Sequence, residues 1–128
     1  MEPLFRKRIR FYPLMRVWRA GEWISRWKGA EVRVLSGDED CLVVMVRVGA
    51  GGSVPVHSHE EAQYGVILKG RGVFQVDGRE IEVREGDSYA IKSREPHGFK
   101  ALEDTTVIDV FVPARSDYLP LLRKPDLE

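Results

Sequence analysis

The chain has 128 residues, 43% hydrophobic and 31% charged, with 20 Lys plus Arg set against 20 Asp plus Glu. That is the profile of one soluble globular domain long enough to bury a core, and a net charge of zero argues against nucleic acid or an acidic surface as partner. No stretch is apolar and long enough to cross a membrane, and the basic N-terminus "MEPLFRKRIRFYPL" lacks the apolar centre of a signal peptide.

Residues 1–29 read as an extension distinct from the rest. Arg6, Lys7, Arg8, Arg10, Arg16, Arg19, Arg26 and Lys28 face only Glu2 and Glu22, and all three tryptophans, Trp18, Trp23 and Trp27, lie here. Stacking aromatics with basic charge suit a nucleic-acid arm, but no nucleic-acid motif accompanies them. The segment is expected to pack its aromatics on the domain or on a partner subunit. From residue 30 onward, short alternating or apolar runs are separated by turn signals, the mark of an all-β sandwich or barrel. "AEVRVLSGDED" predicts a strand through Val32 and Val34, then a turn at Ser36-Gly37-Asp38. "CLVVMVRV" is apolar on both faces and predicts a central strand. Its Cys41, the one cysteine of the chain, cannot form an intrachain disulfide and reads as a small buried hydrophobe in a protein of the reducing cytoplasm. "GAGGSVP" is a loop. "VHSH" and "QYGVIL" predict two strands joined by a tight "EEA" turn. "GVFQV" and "REIEV" flank Asp77-Gly78, the strongest short hairpin signal present. "SYAI" is a further strand, "SREPHG" a loop, and "TTVIDVFV" the last clear strand, ended by Pro113. The domain is expected to run over 30–118, with 119–128 as a tail whose prolines keep any helix short.

The chemistry gathers around three histidines. Alternation along a strand puts His57 and His59 on one face two rises apart, a separation at which two imidazoles can hold one metal ion. The turn after them returns Gln63 to their side, and His97 arrives from a different hairpin. These are the only histidines of the chain.

Glycines frame them. Gly51, five residues, His57, one residue, His59, three residues, Gln63, six residues and Gly70 form one block; Gly86, ten residues and His97 form another. This resembles the two motifs of the cupins. Gln63 stands where the first motif usually has Glu; Lys92, Arg94 and Ala101 depart from the second. The resemblance covers about residues 30–118 and implies a small antiparallel jelly-roll barrel with a metal inside one end. It makes His57, His59, Gln63 and His97 the ligands of one divalent transition metal ion (Zn, Ni, Fe, Cu or Mn). With a neutral amide in place of a carboxylate, the ion keeps its full charge, acts as a stronger Lewis acid and attracts a ligand carboxylate. Gln63 as a loose ligand or a donor behind the ligands is the other reading of that residue.

In "TTVIDVFVPARSDYL", Val107, Asp109 and Phe111 share one strand face, and an aspartate in so apolar a strand needs a partner or a task. It is read either as a structural pair with Arg115 or as an acid or base at the barrel mouth, with Phe111 a wall and Arg115 a carboxylate anchor. "HSHEEAQ" and "EPHGFKALEDTTVIDVFVPARSDYL" are similar to the small pectin-degradation cupins of the KdgF type, which linearise cyclic 4,5-unsaturated uronates. That resemblance implies Asp109, Phe111 and Arg115 as reaction and substrate residues. Glu61-Ala62 and "IKSREPHG" depart from that group. The expected function is a metal-dependent enzyme acting on a small carboxylated sugar or keto acid. The alternatives are a three-histidine metal-dependent dioxygenase and a non-catalytic cupin binding a small ligand or metal. Tyr64, Val66 and Leu68 on the second apolar face of their strand predict a homodimer, with the Trp-rich extension crossing to the partner.

Overall fold

A computed structural model describes residues 15–127. It contains ten strands: β1 (Ile24–Trp27), β2 (Ala30–Gly37), β3 (Leu42–Val48), β4 (Ser53–His57), β5 (Ala62–Lys69), β6 (Arg71–Val76), β7 (Arg79–Arg84), β8 (Ser88–Ile91), β9 (His97–Ala101) and β10 (Thr105–Val112). They form two antiparallel sheets, one ordered β1-β2-β3-β10-β5-β8 and the other β4-β9-β6-β7, facing each other as the small jelly-roll barrel expected from the sequence.

Hydrophobic alternation sets which faces turn inward. In β3, Leu42, Val44, Val46 and Val48 are buried while Arg47 is exposed, and the strand is central, paired to both β2 and β10. In β10, Thr105, Val107, Asp109 and Phe111 are buried. Val107 and Phe111, with the buried valines and leucine of β3, meet Phe74, Phe99, Ile67 and Val83 from the other strands in one core. Asp77 and Gly78 join β6 to β7 with φ of 53° and 72°, the double left-handed geometry of the tight hairpin that Asp-Gly favours.

Four expectations change. β4 begins at Ser53, so the last three residues of "GAGGSVP" are strand rather than loop. β4 and β5 are not a hairpin: β4 pairs with β9, and β5 with β10 and β8. The short segment 58–61 therefore carries the chain from one sheet to the other, and His59 sits in that crossing rather than on a strand face. The segment "HGFKA" is a strand, paired on both sides, although Gly98 interrupts its pattern. Cys41 is half-buried in the turn before β3.

The N-terminal extension contributes β1, an edge strand paired to β2. Upstream of it, Val17 exchanges backbone hydrogen bonds with Leu127, the Trp18 Nε1–H donates to the Arg123 carbonyl at 2.7 Å, and the Arg19 N–H donates to Asp126 at 2.6 Å. The described part of the extension thus packs on its own chain, against the C-terminal tail, whose helical content is one 3-10 turn at Leu119–Leu121. Residues 1–14, on which the expected crossing to a partner depends, lie outside the described residues. No helix among the described residues is long and apolar enough to cross a membrane.

Candidate metal centre

The two sheets bring their ends together at one place. His57 closes β4 and pairs in register with His97, the first residue of β9. His59 stands in the crossing segment. Gln63 is the second residue of β5, in register with Phe111 of β10. The three imidazoles converge, with ring centroids 4.6 Å apart for His57–His97, 4.9 Å for His59–His97 and 5.4 Å for His57–His59. One ring nitrogen from each lies within 4.8 Å of the others.

Each ring is oriented by a backbone carbonyl two residues away. His57 Nδ1 lies 2.8 Å from the Pro55 carbonyl, His59 Nδ1 2.9 Å from that of Glu61, and His97 Nδ1 2.8 Å from that of Glu95. A carbonyl can only accept, so each Nδ1 carries the proton and each Nε2 is left with a lone pair. Such carbonyl partners fix both ring direction and tautomer in metal sites. Burial reinforces neutrality: it lowers the His97 pKa to about 4, and with the nearby Arg115 charge it also lowers that of His59.

Gln63 closes the set. Its Oε1 lies 3.1 Å from His59 Nε2, while its amide is near enough to Asp109 to pull that carboxyl's pKa down as a donor does. A carboxylate takes the amide's N–H, which leaves the amide oxygen toward the histidine. Two lone pairs, on Oε1 and Nε2, therefore point into the same space. That donor set fits a cation held by three imidazoles and an amide oxygen, and imidazole-rich sites suit transition metals.

Behind Gln63 lies Asp109, buried among apolar walls. The Tyr89 hydroxyl donates to its Oδ1 at 2.5 Å, and burial raises its pKa to about 6 against the opposing pull of Tyr89, Gln63 and Arg115. Asp109, Phe111 and Arg115 line one cavity with His57, Gln63 and His97, and the Phe111 ring meets His59 edge-on at 5.6 Å. The Asp109–Arg115 pair that the sequence offered as one option does not form. Arg115 Nε and Nη2 donate instead to both oxygens of Asp117, at 3.0 and 2.8 Å, because Asp117 is the carboxylate nearest along the chain.

Sequence reasoning missed Tyr89, whose alternation with Ile91 in "SYAI" places it inward on β8. It reaches Asp109 over Gly65, which pairs with Asp109 on one side and Tyr89 on the other. A Cβ at Gly65 would come within 2.3 Å of the phenol and 2.4 Å of Asp109. Gly65→Ala is therefore expected to lower stability by roughly 1–3 kcal/mol, the usual cost of overpacking, and to break the phenol–carboxylate contact. An unchanged melting curve would show that the ring moves aside freely.

A family model described as "Cupin domain" (Cupin_2) matches residues 44–112. The pectin degradation protein KdgF of Dickeya dadantii is 27% identical over 99 residues, which are 76% of this chain and 90% of that protein. YdeC of Bacillus subtilis, an uncharacterized HTH-type transcriptional regulator, is 40% identical over 53 residues, 41% of this chain. The match spans only 18% of YdeC. Among solved structures, KdgF from Halomonas sp. superposes with a TM-score of 0.73 at 29% identity, covering 77% of this chain and 92% of that one.

Proposed function

The chain belongs to the cupin domain family, and from that premise we propose that it is a metal-dependent enzyme that opens or tautomerises a small carboxylated sugar. A keto acid is the nearest variant of that substrate. The observation that carries the reading is the convergence of three Nε2 lone pairs and the Gln63 oxygen beside a buried, ionisable Asp109. His57, His59, Gln63 and His97 would hold one divalent transition ion. When bound, such an ion supplies Lewis-acid polarisation of a substrate oxygen.

The remaining work falls to the chain's own groups. Arg115 binds the substrate carboxylate with the donors that Asp117 leaves unused; a guanidinium has five N–H groups. Phe111 walls one side and excludes water. Asp109, with a pKa raised toward neutrality, is suited both to take and to return a proton. Ring opening of an unsaturated uronate needs that pairing. A hydroxyl proton leaves, the ring C–O bond breaks, and a proton returns to the alkene carbon, so composition is unchanged. The likeness to KdgF over nine tenths of that protein's length supports this substrate class. Incubating metal-loaded protein with a 4,5-unsaturated monouronate should bleach the alkene absorbance. Persistence of that absorbance would sink the uronate reading.

A ligand-binding cupin without turnover is the second reading, favoured by the likeness to a transcriptional regulator. Binding of the uronate without conversion would identify it. A three-histidine dioxygenase has no need of the buried Asp109, which speaks for proton transfer instead.

We also propose that the protein works as a homodimer in the cytoplasm. On the outer face of the larger sheet, Tyr64 and Leu68 are 52% and 45% exposed. Half-buried Val66, Ile108, Val110 and Met45 lie on the same sheet, giving an apolar face of the kind that marks an interface. Sedimentation at micromolar concentration should give twice the chain mass, and a monomer would count against the pairing.

A further inference from the structure

Three residues that line the cavity, Trp27, Arg115 and Tyr118, come from segments outside the matched residues 44–112. From one side comes β1. Its pairing with β2 slips between Ser25 and Trp27, so Arg26 is the extra residue of a bulge, a device that re-aims side chains and recurs beside active sites. From the other side comes the segment after β10, with Arg115, Asp117 and Tyr118. Trp27 lines the same cavity as the histidines, its ring 5.8 Å from His57. The Arg26 guanidinium lies 4.8 Å from the Trp27 ring and 5.6 Å from that of Tyr118. The Arg115 guanidinium lies 4.4 Å from the same Tyr118 ring. Asp117 joins the two arginines: it accepts from Arg26 Nη2 at 2.9 Å and from the fork of Arg115.

Among the described residues, then, two guanidiniums share one carboxylate at the edge of a cavity whose inner end would hold a cation. The balance is positive, and several N–H donors remain open. Next to them lies the Trp27 indole, with the Arg26 guanidinium over one part of its ring and the cavity beside His57 along another. We propose that the bulged strand β1 is a recognition element, in which Arg26 and Arg115, spaced by Asp117, seat the carboxylate of a uronate ring and Trp27 carries the ring's face. The choice of a uronate rests on the function proposed above; the two-arginine seat does not. Asp117 serves as the spacer that holds both guanidiniums in place while the seat is empty.

The test uses metal-loaded, full-length protein and three probes: D-galacturonate, D-galactose, which lacks the carboxylate, and pyruvate, which lacks the ring. Calorimetry should show galacturonate binding at least about ten-fold more tightly than galactose, the scale of one charge-assisted hydrogen bond. Arg26→Gln should weaken galacturonate about ten-fold and leave galactose unchanged, with metal content and melting temperature as in the native chain. Arg26→Lys, which keeps the charge but loses the fork, should recover part of the affinity. Galacturonate should alter tryptophan fluorescence in the native protein and not in Trp27→Phe. Equal binding of galacturonate by native and Arg26→Gln protein would overturn the inference and leave the uronate function standing. Arg26-dependent binding of pyruvate without galacturonate would support the anion seat and overturn the uronate reading. No binding of either carboxylate would overturn the seat.

Discussion

A His57→Ala/His59→Ala variant is expected to fall from about one metal ion per chain to near none, since two of four donors are gone and the rest cannot complete a four-coordinate set. Elemental analysis of the purified protein is the measurement, and unchanged stoichiometry would defeat the assignment of the centre. Loss of fold should not be the cause. Neither histidine is among the buried core residues, and the barrel interior is formed by Leu42, Val44, Ile67, Phe74, Phe99 and Phe111. The pH behaviour of the centre follows from burial. Because the His97 pKa is lowered to about 4, its ligating neutral form persists as the pH falls below the ordinary imidazole value. The same shift carries a stability term. Between the unfolded value of 6.5 and about 4, the unfolded chain binds a proton that the folded chain refuses. His97 therefore destabilises the metal-free fold progressively as pH drops through that window, and binding a cation opposes the loss.

Asp109→Asn is expected to reduce turnover by roughly two to four orders of magnitude, the range for loss of a general acid or base, while leaving the metal bound. It should also make the metal-stripped protein more stable at neutral pH. The Asp109 pKa rises from 3.8 to about 6 on folding. Above both values the folded state must hold a charge that burial disfavours, a penalty of roughly 3 kcal/mol at most. That penalty shrinks as pH falls through 6 and is gone below 3.8. An isosteric neutral amide escapes it, so the melting temperature of the variant should exceed the native one at pH 7 and converge with it near pH 4. Full activity in Asp109→Asn would remove the carboxylate from the mechanism. Lower stability at pH 7 would mean that the Tyr89 contact outweighs the cost of burying the charge.

These two groups explain the glutamine. A Glu at position 63 would set a second carboxylate against the buried Asp109, and two adjacent carboxylates cannot both ionise readily. An amide avoids that conflict. It presents an oxygen toward His59 and a neutral group beside Asp109, so one side chain would serve the proposed metal set and the proposed acid–base group together. A cation held there would keep its charge uncompensated by its ligands, and the two arginines proposed to seat a carboxylate would extend the same positive field toward an anionic substrate.

Much of this was legible in the chain itself. Alternating and apolar runs identified β2, β3, β5, β6, β7, β8 and β10, Asp77-Gly78 identified one hairpin, and the glycine-framed histidines identified the family. All of these are local signals: a period of two reports which residues share a face, and a turn type is written in a few neighbouring residues. Partnership between distant strands is not local. Whether β4 pairs with β5 or with β9 depends on how two sheets close over a common core, so only the tertiary structure moved His59 from a strand face into the crossing segment. The same limit hid the reach of Tyr89 over Gly65 to Asp109, and the capture of Arg115 by Asp117 rather than Asp109. It also hid β1, a four-residue edge strand whose pairing slips at Arg26 and which brings Trp27 to line the cavity. The residue types of the centre were decided by the sequence alone; their partners were decided by packing, because hydrogen bonds and ion pairs go to whichever group the fold brings within reach.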